Sequence, residues 1–341
     1  MDRRSWLTGL LAAAGVCAGF GAAAEWVVEA PPTPAPVSAL RQDGGEVYVN
    51  AGGWYRLRLC EDELVCREPA EPPAPDVEAD GIPDGTVAEA DNDLGGVRRA
   101  WYIEPTDRYA HGALGDTIEA AALAVQDVNG RLTVVRVRDG EVFEDIAPRI
   151  ADFDDDGEND VLAIRSSVQA GAAIVVYRLA GGTLAEVAAT QPIGRSNRWL
   201  NVAAIADLTG NRRLDIAIVK TPHTGGALEI VTLERSRLRP VDHMDGFSNH
   251  VFGSTELALS AVGDVNGDRI ADLVLPSADR RALRLVSAAR GKLREIAEVP
   301  LPGAVATAIG TLEQPDHPVF VVGLDDGRMV VVLFREEPAK R

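Results

Sequence analysis

One nine-residue acidic pattern occurs three times in this chain, each time between short apolar runs. The first copy is Asp152-Phe153-Asp154-Asp155-Asp156-Gly157-Glu158-Asn159-Asp160, the second runs from Asp207 to Asp215 and the third from Asp264 to Asp272. The copies start 55 and 57 residues apart. Each is followed by two more strand-like runs joined by a tight turn: 173–178 with 183–188, 227–233 with 238–241, and 282–286 with 293–299. Residues 304–336 repeat the strand pattern without the acidic loop, with strands at 318–323 and 328–335. Residues 98–147 form an earlier unit, with Asp127-Val128-Asn129-Gly130 as a hairpin turn. No amphipathic helix of three turns stands out between 98 and 336; the nearest candidate, 116–124, reads equally as a buried strand.

Four strands every 45–58 residues is the period of a propeller blade. The expected fold is all-β, a β-propeller of four-stranded antiparallel blades. Six blades are expected, with five and seven as the alternatives. The strands of 43–68 either add a blade or help to complete the last one, and closure matters because an open ring leaves bare edge strands.

The acidic pattern has a chemical reading. Ca²⁺ takes six to eight oxygens, and carboxylates at positions 1, 3 and 5 of a tight loop converge on one point. A glycine at position 6 allows the sharp turn, position 7 offers a backbone carbonyl, and position 9 closes the site. The first loop supplies Asp152, Asp154, Asp156, the carbonyl of Glu158, and Asp160, with Gly157 at the turn. The third supplies Asp264, Asn266, Asp268, the carbonyl of Ile270, and Asp272, but Arg269 replaces the glycine. The middle loop has only Asp207 and Asp215 as carboxylates, beside Arg212 and Arg213, and is expected to be held by hydrogen bonds alone. An EF-hand would need a Glu at position 12 and flanking helices; position 12 of the first loop is Ala163.

These units resemble the FG-GAP/VCBS repeats of integrin α-subunit propellers and of many secreted bacterial proteins. Three units carry the motif and two carry only the strands, together covering 98–336. The resemblance implies Ca²⁺ at one rim of the disc, where it stiffens a turn and performs no chemistry. It says little about activity, because the fold hosts many functions.

The flanks add a compartment. Residues 1–24 read as an export signal: Arg3 and Arg4, then an apolar run, then Ala22-Ala23-Ala24 before Glu25. Arg3-Arg4-Ser5-Trp6-Leu7 resembles a twin-arginine signal except at Trp6, so both export routes stay open. Cleavage would leave no stable membrane anchor and a periplasmic or extracellular protein. Residues 25–42 are expected to be a Pro-rich spacer, 43–97 N-terminal strands and a loop, and 337–341 a tail. Cleavage would also remove Cys17, leaving Cys60 and Cys66 as a disulfide or as two free thiols. With 34 Lys+Arg against 52 Asp+Glu and a net charge of −18, nucleic acid and anionic lipid are excluded as partners.

No zinc motif, nucleophile elbow or P-loop is present. The segments around His111 and His250 each precede a strand that leads to a D-x-N-G turn, and Arg198-Trp199 precedes Asp207. His111, Arg198, Trp199 and His250 are therefore the expected ligand contacts at one mouth of the channel. The expected function is an exported calcium-binding propeller that binds a protein or glycan, or serves as a scaffold. The alternative is a polysaccharide lyase or hydrolase with its site at that mouth. Surface adhesion, by the integrin analogy, is a third reading.

Overall fold

The computed structural model describes residues 25–60, 65–74 and 76–335, so the segments 1–24 and 337–341, expected to be an export signal and a tail, lie outside the described residues. Regular structure there is β throughout, apart from one 3-10 turn at Ala289–Gly291. No helix among the described residues is long and apolar enough to cross a membrane.

Four of the five sheets have four strands. One is β2 (Ala39–Asp43), β3 (Glu46–Asn50), β4 (Trp54–Leu59) and β5 (Val65–Pro69), in that order. The fifth sheet has nine strands and contains two further meanders. These are β6 (Ala88–Glu89), β7 (Gly95–Thr106), β8 (Glu119–Asp127) and β9 (Leu132–Arg136), then β11 (Arg149–Ala151), β12 (Glu158–Ser167), β13 (Gly171–Ala180) and β14 (Thr183–Ala189). The short β10 (Glu141–Phe143) pairs with both β8 and β12 and so joins them. A parallel contact sets Gly96 against Asn159. Gly96 has φ +76, and a Cβ there would lie 2.6 Å from the Asn159 carbonyl oxygen, so only glycine fits.

The next two sheets are β15 (Leu200–Ala206), β16 (Asp215–Lys220), β17 (Ala227–Leu233), β18 (Leu238–Asp245), and β19 (Ala261–Gly263), β20 (Asp272–Pro276), β21 (Ala282–Ser287), β22 (Arg294–Pro300). The last takes β23 (Val305–Leu312), β24 (Val319–Leu324) and β25 (Met329–Arg335) from the C-terminal end, and its fourth strand is β1 (Glu25–Glu29). Trp26 lies opposite Phe334 and Val28 opposite Val332. This corrects the spacer read at 25–42. Its prolines fall between Pro31 and Pro36, while Trp26-Val27-Val28 before them pairs with β25 and Ala39–Asp43 after them forms β2. Residues 116–124, open between helix and strand in the sequence, enter strand β8.

The core explains the apolar runs. Four of its five clusters join two neighbouring sheets, and the fifth joins the two meanders of the nine-stranded sheet. Val47, Val49 and Leu57 pack on Val319, Val321 and Val331. Ile164, Ile174 and Val176 pack on Ile216, Ile218 and Val231. A sheet covered on both faces needs continuous apolar strands, and Met329–Leu333 in β25 is buried without a break. The first strands β2, β15, β19 and β23 line a common cavity of about 1150 Å³, together with the segment 73–86. In a meander, successive turns alternate between two ends. The turns after first and third strands therefore lie at one face, and the turns after second and fourth strands at the other.

Candidate functional site

The first acidic loop joins β11 to β12 and leaves the strand pairing after Ala151. Asp152 ties it together: its Oδ1 accepts from the Asp156 amide at 3.1 Å and its Oδ2 from the Gly157 amide at 2.8 Å. Asp156 Oδ1 accepts from the Glu158 amide at 3.0 Å. The side-chain oxygens of Asp152, Asp154 and Asp156 come within 4.8 Å of one another, a grouping able to hold a metal ion. Three carboxylates are a hard, anionic donor set of the kind Ca²⁺ favours.

Asp160 is not part of that group. It starts the hydrogen-bonded stretch of β12 and is fully buried, with both oxygens on Arg178 of β13, at 2.8 Å from Nε and 2.7 Å from Nη2. Arg178 also reaches Asp154 at 2.7 Å and Asp156 at 3.4 Å. Burial pushes the Asp160 carboxyl above its ordinary value, against the pull of the guanidinium. The hydrogen bond to Asp160 in turn raises Arg178. Glu158 likewise opens a strand and pairs in parallel with Gly95.

The other two loops repeat the turn without the metal grouping. Asp207 accepts from the amides of Gly210, Asn211 and Arg212, and Asp264 from those of Gly267, Asp268 and Arg269, at 2.7–3.1 Å. The carboxylates of Asp264, Asp268 and Asp272 do not converge as those of the first loop do. Asp272 turns back on its loop, accepting from the Val265 amide and from the Asn266 side-chain NH2, while Asn266 Oδ1 accepts from the Asp268 amide at 2.9 Å. The Ile270 side chain packs over Gly210 of the neighbouring loop. Burial pushes Asp272 up to about 6 and raises Asp215.

At the opposite end, loops from several units converge. His111 lies between β7 and β8, His223 between β16 and β17, and Trp199 and His250 in the connections into β15 and β19. His223 Nε2 and His250 Nδ1 are 2.8 Å apart, and His250 Nε2 faces the Ser254 carbonyl at 2.9 Å. Trp199 stacks on His223 and meets His250 edge-on at 4.7 Å. His111 Nδ1 is 2.5 Å from Glu144 Oε1, and the Ser166 hydroxyl donates to Glu144 Oε2. The Trp199 indole donates to the Glu144 carbonyl at 2.8 Å. Burial raises the Glu144 carboxyl despite His111, and burial with the nearby Glu144 charge pushes Glu119 up to about 10. Burial lowers both His223 and His250 to about 4.

Three of the four expected mouth residues thus meet, but not as expected. Trp199 and His250 are buried among the sheets, and neither they nor His111 line the central cavity. Arg198 stays outside that group, half-buried, with its guanidinium on the Asn197 carbonyl. The reasoning that paired His111 with His250 also needs correcting. Asp127 follows a third strand and Asp264 a first strand, so the loops are not equivalent. His223 gave no signal beyond its place in the turn Thr221-Pro222-His223-Thr224-Gly225-Gly226. Glu144 gave none, because its partner lies 33 residues away.

Residues 152–218 match a family model described as FG-GAP-like repeat. Over that span the chain is similar to an FG-GAP-like repeat. The repeat runs from the first acidic loop through β16 and so includes the second loop. No curated protein matches the chain. Among solved structures it is similar to an exotype rhamnogalacturonan lyase, at 13% identity and a TM-score of 0.38, covering 81% of this chain and 60% of the lyase. It is also similar to an auxiliary nutrient binding protein from Bacteroides thetaiotaomicron, at 9% identity and a TM-score of 0.38, covering 89% of this chain and 70% of the other. Likenesses this distant carry nothing about activity. Outside the repeat, Cys60 and Cys66 are joined in a disulfide at one end of the β4–β5 hairpin.

Proposed function

We propose that the chain is an exported propeller of six blades whose first acidic loop binds Ca²⁺ for structure, and that it works as a binding or scaffold module for a protein or glycan. The observation that carries the calcium reading is the convergence of Asp152, Asp154 and Asp156 on one point at the turn of the FG-GAP-like repeat. Arg178 supplies a single positive charge to a loop with five aspartates between 152 and 160, which leaves room for a cation. The four four-stranded sheets and the two meanders within the nine-stranded sheet support the count of six.

The test is a thermal melt of residues 25–341 with Ca²⁺, Mg²⁺ or EDTA, beside Asp154→Ala. A rise in Tm that needs Ca²⁺ and is lost in Asp154→Ala supports the reading; equal melts in Ca²⁺ and EDTA sink it. The module role predicts saturable binding to a protein or polysaccharide panel without turnover. The enzyme alternative has a specific point in its favour, the shifted carboxyls of Glu119 and Glu144 beside His111. These lie away from the central cavity, however, and product release from any polysaccharide would be needed to prefer it.

A further inference from the structure

The chain carries a net charge of −18, yet one sector of the face that holds the acidic loops exposes a row of cations. The second loop exposes Arg212 and Arg213, and the β17–β18 turn beside it exposes Arg235 and Arg237. In the next unit the third loop exposes Arg269, and the turn between β21 and β22 exposes Arg290, Lys292 and Arg294. All four segments follow a first or third strand, and contacts join them into one rim. The Arg290 amide donates to the Thr209 carbonyl at 3.0 Å, Ile270 packs over Gly210, and Lys292 pairs with Asp242 of β18 at 2.9 Å. A pocket of about 480 Å³ opens between the third loop and the segment 287–296, lined by Arg290, Lys292 and Arg294 with Asn266, Asp268 and Ser287.

The carboxylates of these segments are engaged within the turns or the strands. Asp207 and Asp264 each accept from three backbone amides, Asp268 accepts from the Ile270 amide, and Asp215 and Asp272 are buried. Glu234 holds Arg239 and Glu295 holds Arg284. Apart from Lys292, none of the exposed cations named above has an ion-pair partner among the described residues. Free guanidiniums take carboxylate or sulfate through paired N–H donors. The rest of the rim narrows the choice of polyanion. None of the four segments exposes a large apolar side chain or contains an aromatic one, so the rim has no apolar anchor for a protein interface. Duplex nucleic acid carries a charge about every 1.7 Å of its axis, a density that a chain of this net charge repels. A polysaccharide spaces its charges by whole sugar rings.

We propose that this rim binds an anionic polysaccharide through its carboxylate or sulfate groups, with one acidic sugar in the pocket, whose volume is that of a small-ligand site. The inference rests on the binding-module reading and names its ligand. It does not rest on the calcium reading, because neither loop of the rim carries the metal grouping.

The experiment titrates the full chain in saturating Ca²⁺ with hyaluronate and with chondroitin sulfate, beside dextran, polyglutamate and duplex DNA, read by calorimetry over a range of salt. At least one of the two anionic polysaccharides should bind, dextran should not, and affinity should fall as salt rises. Arg213→Ala with Arg294→Ala should weaken binding about 10-fold or more and flatten its salt dependence. Arg41→Ala with Arg328→Ala removes two cations outside the rim and should leave binding unchanged. Both positions of the first pair are exposed, and a Tm equal to the parent's checks that the fold is kept. No binding of either anionic polysaccharide, equal losses in the two double variants, or tighter binding of duplex DNA overturns the rim. Polyglutamate bound as tightly through Arg213 and Arg294 assigns the rim to an acidic protein and overturns the glycan. Binding of dextran or polyglutamate that ignores both variants keeps the module reading and overturns this one.

Discussion

The first acidic loop and its two sisters share a backbone and differ in charge. In each, the opening aspartate gathers the amides that follow it, and two residues take positive φ. The first loop uses Asp155 (φ 62) and Gly157 (φ 85); the sisters use Gly210 and Gly267 (φ 76 and 79), then Arg212 and Arg269 (φ 66 and 67). One glycine suffices, at either position. The closing aspartates differ in what stands across the sheet. Asp160 has Arg178, Asp215 has Thr232 and Asp272 has Ser287 nearby. The turn therefore holds by hydrogen bonds, and the metal grouping is an addition found where carboxylates crowd and an arginine is present. Turn and ion site are separable.

The largest effect should come from Arg178→Ala. It leaves Asp160 buried and without its cation, which costs about 3–5 kcal/mol. Ca²⁺ should recover part of that loss, so the calcium-dependent rise in Tm should be larger in the variant than in the parent. Thr232→Ala, at the equivalent place in the second unit, should cost about 1 kcal/mol and show no calcium term. Equal losses in the two variants would remove Arg178 from the account.

Next are the opening aspartates. Asp152→Ala, Asp207→Ala and Asp264→Ala should each cost about 1–2 kcal/mol in EDTA, since each strips the backbone amides of the turn of their carboxylate acceptor. Only Asp152→Ala should also abolish the calcium response, which is about 2.7 kcal/mol at a hundredfold excess over Kd. A calcium response lost equally in Asp264→Ala would place a second ion in the third loop.

A smaller effect separates the closing aspartates by pH. The Asp272 carboxyl sits at about 6 in the folded chain, above the 3.8 of a free side chain, because of burial. A raised carboxyl binds its proton more tightly folded than unfolded. Its contribution is fully present below pH 3.8 and is lost as pH rises through 6. Asp272→Asn should therefore flatten the Tm–pH profile between pH 4 and 7 and raise Tm by about 2–4 °C at pH 7.5, the shift expected for about 1 kcal/mol. Unchanged slopes would show that Asp272 is solvated.

Much of this was legible in the chain. Strand runs, their period and the three loops follow from alternation of apolar segments with Asp, Asn and Gly, which are local signals. Arg178 was not legible, because its role depends on β13 lying against β12 in a register that puts Tyr177 opposite Val161. Without it, five aspartates in the first loop read as uncompensated charge. β1 was hidden for a similar reason: five residues before a run of prolines become a strand only when β25 offers an open edge. The histidine cluster was half legible, since His111, Trp199 and His250 stood out while His223 and Glu144 depend on loops meeting in space. What escaped was in each case a partner contributed by a distant strand or loop.

The smallest prediction tests whether one glycine per loop is a steric requirement or an accident. Arg269 and Arg212 occupy left-handed backbone at the position Gly157 holds in the first loop. A side chain there costs roughly 1 kcal/mol relative to glycine, so Arg269→Gly should gain at most about 0.5 kcal/mol after the extra unfolded-state entropy of glycine is subtracted. Gly157→Ala should lose about 1 kcal/mol. Nothing lies within 4 Å of the Cβ it would add, so the whole loss is conformational. Because the Asp152, Asp154 and Asp156 carboxylates keep their places, the calcium-induced rise in Tm should be the same in Gly157→Ala as in the parent. A diminished rise would mean that the turn angle, and not only the carboxylates, sets the ion's affinity, and the separation of turn from ion site would fail.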